Sequence, residues 1–331
     1  MKVGKLPLEL VERYIWSRTG SYDPSVLLGP SLGEDAAIIK TRGPYIAAHT
    51  DPISGSVELL GWLAVHVVSN DLATRGIRPR WLLPTIFLPP SSSEEVLDKI
   101  TRQMDAAARE LGAAIVGGHT EVTTAVERPL VVMAAIGEGD RYVSTGGAKP
   151  GDLVIMTKSA AMEAAAILAT DFRDRLKALG IADDVLERAA GFIKRVSVVK
   201  EALLIADLAD AMHDPTEGGV LAGLAEMAYA SGATIRVDPG SVKVYEEAAS
   251  LCSAVGLDPL STLSSGALLA AVPRDKADEA LRRLRGAGVE ASIIGEVVPR
   301  ERHLVVGGSI ALDTPYVRDK FFELFESAGR S

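Results

Sequence analysis

The hydrophobic and polar positions alternate between strand-like runs and helical stretches along the whole chain. Short apolar runs that stop at Gly, Pro or paired polar residues predict strands. In the first half these are AAIIK (36–40), YIAAHT (45–50), WLLPTIFLP (81–89) and PLVVMAAIGEG (129–139). In the second half they are DLVIMTKS (152–159), ATIRV (233–237), ALLAAVP (267–273) and SIIGEVVP (292–299). Helical spacing predicts helices over 6–17, 57–75 (apolar along its length), 91–111 and 162–170 (rich in Ala). It predicts a charged helical pair over 171–194 and further helices over 196–208, 221–232, 242–255, 275–288 and the tail. Pro84 inside the third strand predicts an edge position or a bulge. The run AAIVGGHTEV (113–122) reads as a buried strand delivering a Gly-Gly loop with His119, Thr120 and Glu121 at its tip. STGGAKPGD (144–152) is small, polar and turn-rich, so the chain divides there into domains 1–148 and 149–331.

Composition narrows the function. A chain of 331 residues with 47% hydrophobic and only 5% aromatic residues must build aliphatic cores. The net charge of -9, with no run of Lys or Arg, argues against nucleic acid as a partner. An acidic protein that binds a polyanion needs metal ions to bridge the repulsion. The single cysteine, Cys252, excludes a disulfide framework and a thiolate zinc site, and it falls in a predicted helix as core. No apolar run has membrane-spanning length, and the N-terminal stretch lacks a signal's long apolar segment, so a cytoplasmic location is expected.

The candidate chemistry is carried by acids. Glu34 and Asp35 follow Gly33 at a strand start, where a solvated turn and a metal site are equally good readings. Asp51 ends a strand, Asp71 lies in the apolar helix over 57–75, and Glu121 stands beside His119. A local pair of Asp71 with Arg75 at i+4 is the structural alternative for the helix acid. Acids brought together from several loops are what a multi-Mg2+ nucleotide site needs. A second acid-plus-glycine loop, DPTEGGV (214–220), opens a helix whose first N–H groups can bind an anion, unless Thr216 simply caps it. P-loop, dinucleotide and nucleophile-elbow motifs are all absent.

Seven segments add a resemblance: GEDAA (33–37), TDP (50–52), ND (70–71), GGHTEV (117–122), KPGD (149–152), DPTEGGV (214–220) and LDPL…SSGALLAAV (257–272). In this order the set resembles the AIR synthase-related (PurM-like) superfamily, which includes selenophosphate synthetase, thiamine-monophosphate kinase and the hydrogenase-maturation protein HypE. The segment around GLDPL and SSGALLA is most similar to HypE. The resemblance implies an α/β domain whose sheet joins a partner's in a dimeric β-barrel, then an α+β sandwich domain. ATP and Mg2+ are then expected in the cleft between domains, near a homodimer interface. The matching positions are Asp35, Asp51 and Asp71, with Glu34 and Glu121, for the metal. For the nucleotide they are Gly33, Thr50, Asn70, Gly117, Gly118, His119, Thr120, Asp214, Gly218 and Gly219.

The implied function is ATP-dependent activation of a small carbonyl, amide or phosphate substrate, free or protein-bound, by phosphoryl transfer. The alternative is a non-catalytic, dimeric nucleotide-binding regulator or scaffold. Two departures stand out. The chain ends FESAGRS, without the C-terminal cysteine of HypE, and His119 stands where relatives carry a metal-binding aspartate.

Overall fold

The structure, a computed structural model, describes residues 26–28, 34, 37–40, 45–54, 56, 58–115, 118–300, 304–308 and 310–324. The helix expected over 6–17 and the end of the tail lie outside the described residues. In the first half the order is β1 (Val26–Leu28), β2 (Ala37–Lys40), β3 (Tyr45–Ile53), α1 (Leu60–Thr74), β4 (Pro79–Leu88), α2 (Glu94–Leu111), β5 (Ala114–Ile115), β6 (His119–Val122) and β7 (Leu130–Gly139). The second half holds β8 (Leu153–Thr157), α3 (Met162–Asp171), α4 (Arg173–Ala178), α5 (Asp183–Ala190), α6 (Val199–Ile205), β9 (Ala211–His213) and α7 (Gly219–Ser231). There follow β10 (Thr234–Val237), α8 (Glu246–Ala254), β11 (Leu269–Val272), α9 (Ala277–Gly286), β12 (Ala291–Val298), β13 (Leu304–Val306) and β14 (Ile310–Leu312).

The first sheet runs β1-β2-β3-β7-β4-β5, with β6 also paired to β4. Side chains alternate in and out along a strand, so Leu82, Ile86, Val131, Met133 and Ala135 are buried on one face with α1 and α2. The other face keeps Trp81, Leu83, Phe87, Val132, Ala134 and Ile136 only half-buried. The sheet of the single chain is open, with no closed barrel among the described residues. The second sheet runs β14-β13-β10-β12-β8-β11-β9. Its strands feed two cores in alternation. Leu268, Ala270 and Val272 join the large cluster shared with α1 and α3, while Leu269 and Ala271 join a smaller one around α7.

Two sequence expectations change. The stretch after Ala113 is an exposed sheet edge, not a buried strand: Ile115 is 40% exposed and Val122 65%. His119–Val122 is itself a strand, parallel to β4, not a loop tip. Pro84 is not at an edge, because β4 is flanked by β7 on one side and β5 and β6 on the other. Its missing N–H is tolerated because β5 pairs only Trp81 and Leu82, and β6 only Thr85 to Leu88. Pro84 falls in the gap. There Gly118, at φ +133°, lies so close that a Cβ on it would sit 2.2 Å from the Pro84 carbonyl oxygen.

Candidate functional site

The two halves are fastened along one face of α1. Residues 63, 67, 70, 71 and 74 share that face by helical spacing. Asn70 spends its whole carboxamide on the second half: Nδ2 donates to the Val196 carbonyl at 2.9 Å, and Oδ1 accepts from the Val198 N–H at 2.8 Å. One turn on, the Arg75 guanidinium is fully buried. It pairs with Glu34 at 2.7 Å and donates to Thr145 Oγ1 (2.8 Å) and the Met212 carbonyl (2.7 Å). Arg75 is therefore engaged by Glu34 and by the second half. Glu34 is in turn held by a fixed cation, which competes with any role on a metal.

Asp71 points the other way. Its Oδ2 lies 3.5 Å from His49 Nε2 on β3. His49 and Asp51 are two residues apart on one strand and so share a face, and Ala47 and Ile53 on that face are buried. Asp51, His49 and Asp71 thus stand side by side at the interdomain boundary. Thr50 projects to the opposite, exposed face of β3.

Beyond Asp51 a pocket of about 270 Å³ opens between the halves. Asp51 and Ile53 come from β3, Leu63 and Val67 from α1. Glu163, Thr216, Glu217, Ser265 and Phe322 come from the second half. The acids on its wall are Asp51, Glu163 and Glu217, and among the described residues no Lys, Arg or His lines it. Glu163 lies in the first turn of α3 and is 6% exposed; it accepts the Ser265 N–H at 3.3 Å. Burial pushes its carboxyl up to about 7, with Asp51 and Asp319 adding to the rise and hydrogen bonds from Ser265 opposing it.

The DPTEGGV loop behaves differently from its sequence pattern. Asp214 is buried after β9, beside His213, which pairs with Glu226 of α7 at 2.7 Å. Thr216 does not cap α7. The cap residue is Gly218, whose N–H donates to Asp319 Oδ2 at 3.1 Å. Asp319 also accepts from Thr262 Oγ1 (3.0 Å) and the Phe321 N–H (2.9 Å), and burial holds its carboxyl above the ordinary range. The room left by the missing side chains is used by the chain itself. A Cβ on Gly219 would stand 2.5 Å from the Leu260 carbonyl, and one on Gly218 3.0 Å from that of Val317.

The GGHTEV stretch stands apart. Three strand spacings separate β3 from β6, about 14 Å. On β6, His119 Nε2 meets Glu121 Oε2 at 3.2 Å with both side chains exposed, and Thr120 is exposed between them. Gly33, Asp35 and Gly117 lie outside the described residues. A second cleft, of about 530 Å³, lies on the flank of the second half and contains none of the expected residues. Two of its cations are engaged locally, Lys243 with Glu290 and Lys158 with Glu201.

Glu163, Asp319 and His49 were not reached from the sequence. Glu163 left one signal, a lone acid in an otherwise apolar Ala-rich helix. Among the described residues no group of three or more His, Cys, Asp or Glu is gathered to hold a metal by itself. Mg2+ does not need such a cage: it takes one or two carboxylates and completes its shell with phosphate and water. Asp51 and Asp71, on neighbouring elements at the boundary, suit that demand.

Comparison with known proteins shows the family of the chain. The model of the AIR synthase related protein N-terminal domain matches residues 33–138, and that of the C-terminal domain matches 149–307. A putative hydrogenase expression/formation protein of Methanocaldococcus jannaschii is 29% identical over 317 residues, covering 92% of this chain and 91% of the relative. The carbamoyl dehydratase HypE of Azotobacter vinelandii is 30% identical, covering 78% of this chain and 73% of its own length. Among solved structures, a hydrogenase maturation protein HypE in complex with ATP is similar at TM-score 0.69 and 27% identity, covering 92% of this chain and 93% of that one. A chain of a HypE–HypF complex is similar at TM-score 0.73 and 26% identity, with 91% of this chain and 97% of that one covered.

Proposed function

The chain belongs to the AIR synthase related family, and on that premise we propose that it is an ATP- and Mg2+-dependent enzyme. It activates a small carbonyl, amide or phosphate group by phosphoryl transfer in the pocket between its halves. The observation that carries this reading is the pocket itself, where Asp51 and Glu163 face each other across the domain boundary among apolar walls. Acids gathered at a partly enclosed boundary repel one another, and a bound cation relieves that repulsion. Support also comes from the ATP complex of HypE, similar over nearly the whole chain.

In this reading Asp51 and Asp71 hold Mg2+ together with phosphate oxygens, and Asp214 and Thr216 approach the nucleotide from the second half. Bound Mg2+ supplies charge neutralisation at the phosphates, which an acidic pocket cannot supply alone. Asn70 and the Glu34–Arg75 pair keep the halves in register. Residues 118–121 do not line this pocket. The protein works as a homodimer in the cytoplasm, and the half-buried apolar face of β4 and β7 supports a second copy there. Among the described residues no helix is long and apolar enough to cross a membrane.

An ATP-turnover assay with a panel of acceptors, run beside Asp71→Asn, tests the proposal. Acceptor-dependent ADP release that the variant loses supports it. Tight Mg–ATP binding with no turnover on any acceptor favours the non-catalytic regulator, and no Mg–ATP binding contradicts both readings.

A further inference from the structure

The interdomain pocket is built against anions. Its walls combine the carboxylates of Asp51, Glu163 and Glu217 with apolar Val67 and Phe322, and among the described residues no cationic side chain lines it. Of the acids, Glu163 is the one deepest in the protein and the one whose position is set most firmly. It follows the buried segment from Lys158 to Ala161, where two non-glycine residues hold left-handed backbone, Lys158 at φ 55° and Ala161 at φ 56°. Such conformations persist only where the surroundings over-determine them.

Here the surroundings are explicit. The Ala161 N–H donates to Ser264 Oγ at 2.9 Å, and the Ala160 N–H donates to the Lys243 carbonyl at 3.0 Å. Lys158 Nζ is locked onto the Arg195 and Ser197 carbonyls and onto Glu201. A carboxylate of merely structural value does not need a strained loop to aim it. Glu163 forms no ion pair among the described residues, and the Ser265 N–H occupies only one of its oxygens.

We propose that Glu163 is the specificity-determining residue for the second substrate: its carboxylate accepts hydrogen bonds from an N–H- or O–H-bearing neutral or cationic group, and the pocket rejects phosphate monoesters and carboxylates. This rests on the ATP-dependent reading above, whose substrate classes it narrows. Any anion that does enter comes with Mg2+, on the Asp51 side. Placing a second anion against Glu163 sets like charges together in a poorly solvated space, which is strongly unfavourable. A donor group there satisfies the open carboxylate oxygen and gains a charge-assisted bond.

The test uses ligand-observed NMR at pH 8.5, where the Glu163 carboxyl is ionised, on the full chain with Mg2+ and a non-hydrolysable ATP analogue. The probes are ethanolamine, methylguanidine and N-methylacetamide against acetate and methyl phosphate. The wild type is expected to bind the donors in preference to the two anions. Glu163→Gln, close to isosteric, is expected to weaken the donors about tenfold and narrow their advantage over the anions, while Glu163→Asp keeps the preference. The nucleotide analogue's own affinity is expected to change less than threefold in Glu163→Gln. Preferential binding of acetate or methyl phosphate by the wild type overturns the proposal, as does unchanged selectivity in Glu163→Gln. A tenfold loss of Mg2+ affinity in that variant with selectivity intact also overturns it, by making Glu163 a metal ligand. Should the nucleotide analogue fail to bind the wild type, the ATP reading fails by itself. The same probes without nucleotide then still decide the role of Glu163.

Discussion

At the residue scale, two buried groups titrate in opposite senses. His66 on α1 is 1% exposed, and its ring nitrogens have no hydrogen-bond partner among the described residues. Burial, with Lys158 nearby, lowers it from 6.5 to about 4. The unfolded chain therefore binds this proton more tightly. Its share of stability is present above pH 6.5 and is lost as pH falls toward 4. Glu163 is raised from 4.5 to about 7, so its share is present below pH 4.5 and is lost as pH rises through 7. Each share is ~3 kcal/mol, and in their common window the two slopes oppose. Urea unfolding in metal-free buffer is expected to show this through variants. Between pH 4.5 and 6.5, His66→Gln should make stability fall more steeply with rising pH, and Glu163→Gln should make it rise; parallel profiles for the two would contradict the assignment. Arg75 gives a second prediction. Arg75→Met leaves Glu34 as a buried charge without its guanidinium, and a loss of about 3–5 kcal/mol is expected in the same measurement. Cys252 matches its sequence reading: it is buried in α8, burial pushes its thiol up to about 12, and it should not react with thiol reagents in the native state.

At the element scale, the strands and helices were largely legible, because 2.0 and 3.6 periodicities survive in an aliphatic chain. What periodicity cannot give is a strand's neighbours. The run AAIV is apolar enough for a core strand, yet β5 and β6 form the exposed edge of the sheet. Pro84 reads as an edge marker, yet it sits inside the sheet at the gap between two short partners. The Gly-Gly pair, read as a phosphate approach, has at Gly118 a structural cause in the contact with Pro84. Gly118→Ala is expected to cost about 2 kcal/mol or more, since it adds a clash with the Pro84 carbonyl to an unfavourable φ; a neutral effect in thermal unfolding would remove that explanation. The open face of β4 and β7 belongs to this scale too. Phe87→Glu is expected to turn a dimer into a folded monomer by light scattering, and a wild type that is itself monomeric would contradict the proposed homodimer.

At the scale of the whole molecule, the candidate site exists only because distant segments meet. Asp51, Asp71 and Asp214 were legible as acids ending strands or interrupting an apolar helix. Glu163 and Asp319 were not, since their partners Ser265 and Gly218 lie about a hundred residues away in the chain and local pattern carries no trace of such pairs. The same long-range contacts explain why residues expected to serve one ligand divide by role. Asn70 and Glu34 fasten the halves, Gly218 lies against Val317 of the tail, Gly219 lies against the segment from Leu260 to Thr262, and Asp51 lines the pocket with Asp71 close by across His49. The most direct test is calorimetric titration of ATP into the wild-type protein and Asp51→Asn, with and without Mg2+. The account predicts about one site per chain, at least tenfold weaker binding without Mg2+, and a similar loss in the variant with its folding unchanged. Binding that is indifferent to both Mg2+ and Asp51, or no binding by the wild type, would contradict it.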